Sequence, residues 1–168
     1  MDIVKDIRQG DVLAFISGDG KYKALLCTST VEESPMNFTF AALSVDQSDL
    51  PTLSDIRNSQ FYGIGNRKDD FFKYSKDELD NMWKIHPEVK PYYLGSYGLT
   101  VWRKDFVKFS DNFKLVGKVD VVNNLDKHGN GGMNASDWDF LRDFFNGKFK
   151  QFLQDRGQKL FELKAVVK

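Results

Sequence analysis

The chain has one cysteine, Cys27, and two histidines, His86 and His128, among its 168 residues. Neither an internal disulfide nor a cysteine-rich zinc site can form from that inventory. Net charge is missing as well, because 24 Lys and Arg residues balance 24 Asp and Glu residues. A dedicated nucleic-acid binder ordinarily carries a basic excess, so the balance disfavours that class while allowing a local patch. No stretch approaches the roughly 20 consecutive apolar residues of a membrane span. The opening MDIVKDIRQG places charges where a signal peptide needs an unbroken apolar run, so a soluble, cytoplasmic protein without a membrane partner is expected. HExxH, GxSxG and P-loop patterns are all absent, and no cofactor is expected.

What is present is globular and aromatic. Hydrophobic residues make up 41% of the chain, with 15 Phe, 6 Tyr and 3 Trp, so long disorder is not expected. A chain of this size buries about 70% of its unfolded surface and forms a core without staples. Repeats and low-complexity linkers are lacking, and residues 1–168 read as a single domain.

Residues 11–30 read as a β-hairpin. DVLAFI is a short apolar run, Tyr22, Ala24 and Leu26 alternate with lysines, and Asp19-Gly20 suits the positive φ angles of a tight turn. NFTFAALSV (37–45) follows as a third strand, and SDLPTLSDIRNS leaves room for a short helix or turn. Ser75 and Glu78 form a capping box before a helix carrying Leu79, Met82, Trp83 and His86, which Pro87 ends. LTVWRKDFVKF and FKLVGKVDVV resume strand character. In the second of these, Phe113, Leu115, Val119 and Val121 are expected on one face. Ser136 and Asp139 read as the capping pair of a C-terminal helix, whose Trp138, Leu141, Phe145, Phe149 and Phe152 form one stripe. Gly147 is expected to kink or split it, and Gly157 to stop it. KLFELKAVV is a final strand with Phe161, Leu163, Ala165 and Val167 on one face.

DKHGNGGMNASDWDF (126–140) is the stretch most suggestive of chemistry. Asp126, Asn130, Gly131 and Asp137 match positions one, five, six and twelve of a calcium loop. His128 in the third position is a poor calcium ligand, and the preceding segment reads as a strand where a helix is required. A phosphate cradle would need a P-loop lysine or a GxGxxG spacing, and has neither. The simpler reading is a glycine- and asparagine-rich link from strand to helix, so no metal site is assigned.

Cys27 lies in a predicted strand, where a buried thiol is the common case. Aromatics interleave with lysines in FFKYSK, FVKFSDNFK and GKFKQF. Such a pattern can hold single-stranded nucleic acid, but alternation also places lysines outside and aromatics inside. Asp69-Asp70 before Phe71-Phe72 reads as a solvated turn. Phe140 falls about 130° from the centre of the helix stripe, and Tyr92, Tyr93 and Tyr97 sit in a loop. These four are the candidate anchors for a protein partner.

QGDVLAFISGDGKYKALL resembles the opening of the immunity protein 26 type, a family of bacterial polymorphic-toxin immunity proteins. The likeness rests on Gly10, Asp11, VLAFI, Asp19-Gly20 and Lys21-Tyr22, with LVGKVDV (115–121) similar to a later strand. It implies a non-catalytic cytosolic binder that occludes a cognate toxin encoded nearby. A nucleic-acid- or regulator-binding module is the second reading, and a small hydrolase the third. The expected fold is α+β: an antiparallel, strongly twisted sheet or partly open SH3-like barrel, with a C-terminal helix packed on it.

Overall fold

The computed structural model describes residues 7–28, 37–64, 95–96, 98–120, 133–134, 136–145, 151, 155, 159–165 and 167. Its architecture is mixed α+β, built around an open antiparallel sheet. Strands β1 (Asp11–Ile16), β2 (Tyr22–Cys27) and β3 (Asn37–Ala42) follow one another as the sequence predicts. Helix α1 (Leu53–Arg57) comes next, with Thr52 and Asp55 closing a reciprocal capping box. Strands β4 (Gln60–Ile64), β5 (Gly95–Ser96) and β6 (Gly98–Trp102) precede helix α2 (Arg103–Phe109). Strands β7 (Lys114–Lys118) and β8 (Met133–Asn134), helix α3 (Trp138–Phe144) and strand β9 (Lys159–Glu162) complete the order.

The main sheet runs β7-β1-β2-β3-β6-β8, and a smaller one runs β5-β4-β9. Every pairing is antiparallel except β6 with β8. The main sheet has two ends and does not close on itself.

Its central hairpin is buried on both faces. Leu13, Phe15, Leu25 and Cys27 face one apolar cluster with Phe38, Phe40, Val101, Phe106, Phe109 and Phe113. Val12, Ala24 and Leu26 face a second, with Ile56, Phe61, Val119 and Leu163. α2 and α3 therefore cover one face, while α1, β4 and the turn after β9 cover the other. A short unbroken apolar run such as VLAF is the sequence form that two-sided burial requires.

The turn is closed as Asp19-Gly20 implies. Gly20 takes φ 79°, its N–H donates to the Ser17 carbonyl at 3.0 Å, and the Lys21 N–H donates to Asp19 Oδ1 at 3.0 Å. At the other end Gly10, with φ 94°, donates to the Cys27 carbonyl and accepts from the Val119 N–H, both at 2.9 Å. One glycine thus ties together the chain around β1, β2 and β7.

Four sequence expectations need correction. LTVWRKDFVKF is a strand only to Trp102, where α2 begins. Phe106 and Phe109, three apart and both buried, fit a helical repeat, as does the 3.1 Å ion pair of Asp105 with Lys108. Phe113, Leu115 and Val119 do not share a face, because a β-bulge intervenes. Leu13 pairs with Leu115 but Val12 pairs with Gly117, so Val116 is an extra residue that reverses the alternation. Phe113 consequently enters the first cluster and Val119 the second, while Leu115, before the bulge on the edge strand β7, is exposed. The final strand stops at Glu162 and gives way to a 3-10 turn, Leu163–Ala165, whose geometry brings Leu163 and Val167 into the second cluster. The helix cap is the fourth correction and belongs with the site.

Candidate functional site

α3 begins one residue later than its capping chemistry suggests. Asp137 is the N-cap, and its Oδ1 accepts the Phe140 N–H at 2.8 Å, whereas Ser136 is exposed and outside the helix. Both residue types cap well, so local preference leaves the choice open. Packing decides it: the Trp138 ring meets Phe15 at 5.7 Å and Phe113 at 5.5 Å, both edge-on, and that fixes the first turn.

From there the stripe runs inward as expected through Leu141 and Phe145. α3 ends at Phe144 with Phe145 as its C-cap. Gln151 and Asp155 are helical and exposed, with 2.9 Å between Gln151 Nε2 and Asp155 Oδ1. Phe149, Phe152, Gly147 and Gly157 lie outside the described residues.

Phe140 is 40% exposed, on the flank of α3 away from the core. It does not stand alone. Its ring stacks on Phe144 at 5.8 Å and 26°, Phe144 meets Phe145 edge-on at 5.6 Å, and Phe145 meets Phe15 edge-on at 5.2 Å. A continuous row of rings leads from the central strand to the surface. Such support restricts the Phe140 side chain before any partner arrives, which lowers the entropy lost on binding.

Charge surrounds this ridge. Asp137, Asp139 and Asp143 are on the same short helix or its cap, and Arg142 is their cation. Its guanidinium pairs with Asp143 at 3.0 Å and with Asp139 at 3.5 Å. The hydrogen bond that Arg142 donates to Asp143 raises the Arg142 pKa above its ordinary value, with the Asp143 and Asp139 charges adding to the shift. Ser17 Oγ donates to the Arg142 carbonyl at 3.2 Å, joining the helix to the end of the central hairpin.

A second exposed surface was not read from the sequence. Trp102 caps α2 and is partly exposed, and the Lys104 ammonium lies 5.1 Å from its ring centroid, a cation–π contact. Val107 on the same helix is 59% exposed, and Lys108 is exposed beside it in sequence. Assigning residues 99–109 to one strand hid this surface, because a period of two puts Val107 with Phe109 on an inner face. Of the interleaved motif FVKFSDNFK, Phe106, Phe109 and Phe113 all point inward, into the first cluster.

Lys23 was also missed. It occupies the Phe15 and Leu25 face of the hairpin, only 5% exposed, and its Nζ donates to Asp46 at 2.6 Å and Asp19 at 2.9 Å. Burial pulls its pKa down, but hydrogen bonds from Lys23 to the two aspartates outweigh that, and the net shift is upward. Cys27 is fully buried.

Tyr92, Tyr93 and Tyr97 lie outside the described residues, as do His86, His128 and the loop positions Asp126, Asn130 and Gly131. The one calcium-pattern residue that is described, Asp137, is engaged as a helix cap. No helix among the described residues is long and apolar enough to cross a membrane. Comparison with family models, curated proteins and solved structures finds no match to this chain.

Proposed function

We propose that this chain is a non-catalytic, cytoplasmic binding protein that neutralises a cognate bacterial toxin, encoded nearby, by occluding it. Phe140 carries the reading: a partly exposed aromatic side chain, supported from below by Phe144 and Phe145, has the form of an interface anchor. The hairpin behind the family resemblance supports it further, since Gly10 and residues 12–15 form the centre of the fold on which that anchor rests. In the same reading, the twisted sheet is taken as a partly open SH3-like barrel.

Co-expression with the product of the adjacent gene tests this. Growth rescue and a co-purifying complex are the expected results, and Phe140→Ala should weaken the complex about tenfold or more. The absence of both rescue and complex would overturn the reading.

The exposed Trp102 with Lys104 over its ring favours a second reading, a nucleic-acid- or regulator-binding module. Binding of a single-stranded oligonucleotide would then weaken steeply as salt rises. Absent or salt-insensitive binding rejects the nucleic-acid form.

A further inference from the structure

The partner's chemistry can be read from the α3 ridge, taking the Phe140 surface as an interface. We propose that this ridge receives a cationic segment of a partner protein, with an arginine or lysine side chain laid over the Phe140 ring beside Asp139 and Asp143. Three observations converge on one ligand chemistry. First, the Phe140 ring is held by Phe144 stacked against it and is still 40% exposed. An aromatic ring presents its negative quadrupole at its face, so the ligand it attracts there is a cation. Second, the side chains of Asp139 and Asp143 are 80% and 55% exposed, and Asp137 is exposed at the cap. On a helix, residues three and four apart are neighbours, so Asp143 adjoins Phe140 and Asp139 adjoins Asp143. Third, the surface already holds a cation of its own: Arg142 spans Asp139 and Asp143 at 3.5 Å and 3.0 Å. It neutralises part of the charge, one cation against the three carboxylates of this helix and its cap.

Sign separates the possible occupants. Another copy of this chain would bring the same three aspartates to a two-fold contact, and like charges would oppose it. Nucleic acid and anionic lipid surfaces are repelled for the same reason. A basic protein segment gains from the ring and the carboxylates together. The ring and the charges also have separable signatures. Screening by salt weakens the contribution of the exposed carboxylates, while removing the π face weakens binding at any salt.

Backbone amide shifts, followed while the full chain is titrated with a capped hexa-arginine peptide, test this directly. Saturable shifts clustered at Asp139, Phe140 and Asp143 are expected, with no such cluster for hexaglutamate. Asp139→Asn with Asp143→Asn should weaken binding about fivefold to tenfold at low salt, and Phe140→Leu by a few-fold with the fold retained. Arg142→Ala removes the internal competitor and should tighten binding, an effect that loss of helix stability would not produce. Scattered shifts, an equal response to hexaglutamate, or unchanged affinity in the Asp→Asn and Phe140→Leu variants would overturn the proposal. These results are independent of the toxin experiment. Rescue with undiminished affinity in the doubly neutralised protein sinks the cationic partner and leaves neutralisation standing. Failure of rescue and complex formation sinks neutralisation, and the peptide titration still decides the ligand chemistry.

Discussion

Lys23 sits among aromatic and aliphatic neighbours on the inner hairpin face, and two carboxylates meet its ammonium at the rim. The Lys23 hydrogen bond, followed by that from the Lys21 N–H, holds the Asp19 pKa below its ordinary value, while the Lys23 pKa is raised. A depressed carboxylate contributes stability above its unfolded pKa and loses it as pH falls through the folded value. A raised lysine contributes below its unfolded pKa and loses that as pH rises through the folded value. The cluster should therefore stabilise the fold evenly across neutral pH, and less below about pH 4 and above about pH 10. Thermal melts of the parent and Lys23→Met across this range would converge at both extremes; parallel curves would contradict it. Gly10 gives a sharper case. A Cβ there would lie 2.2 Å from the Val119 carbonyl oxygen at φ 94°, whereas one at Gly20 meets nothing within 4 Å. Gly10→Ala should cost about 2 kcal/mol or more and Gly20→Ala about 1 kcal/mol in denaturant titrations. Of these residues, the Asp19-Gly20 turn was legible because its chemistry is local. The buried pairing of Lys23 carries no local mark, because the aspartate at position 46 lies 23 residues away.

The helices show where element-level reading succeeds. α3 was legible because Trp138, Leu141 and Phe145 repeat at helical spacing and the cap residues stand just before them. Its start was displaced by one residue, since both Ser136 and Asp137 can cap and only the seat of Trp138 distinguishes them. Asp137→Ala should destabilise the protein by about 1 kcal/mol, while Ser136→Ala should stay within about 0.5 kcal/mol. Equal losses, measured by denaturant midpoint, would return the cap to Ser136. α2 was missed because seven residues offer two turns of pattern, and a strand flowed into it without a glycine or proline to mark the boundary. The bulge at Val116 was equally hidden. Nothing in LVGKV says which glycine neighbour is the extra residue until β1 supplies the register.

For the whole molecule, the α+β class and antiparallel order followed from consecutive hairpins and alternating runs. The pairing of β4 with β9 did not, because it joins Gln60 to Glu162, 102 residues apart, and carries no local mark. Two apolar clusters share the central hairpin, so a loss on either side is felt by the same strands. Leu25→Ala on one face and Leu26→Ala on the other should each cost about 2–5 kcal/mol, in a single transition of unchanged denaturant slope. Separate transitions in the two variants would show that the clusters melt independently. Residues 12–15 and 23–27 of the hairpin, covered on both faces, offer no open position for recognition. In the proposed binding role, discrimination between partners would fall to exposed residues outside this core, such as those of α2 and α3, which can be exchanged without disturbing β1 or β2. The scaffold can stay constant while the surface diversifies, and a protein of this construction could follow a changing opponent at little cost to its own folding.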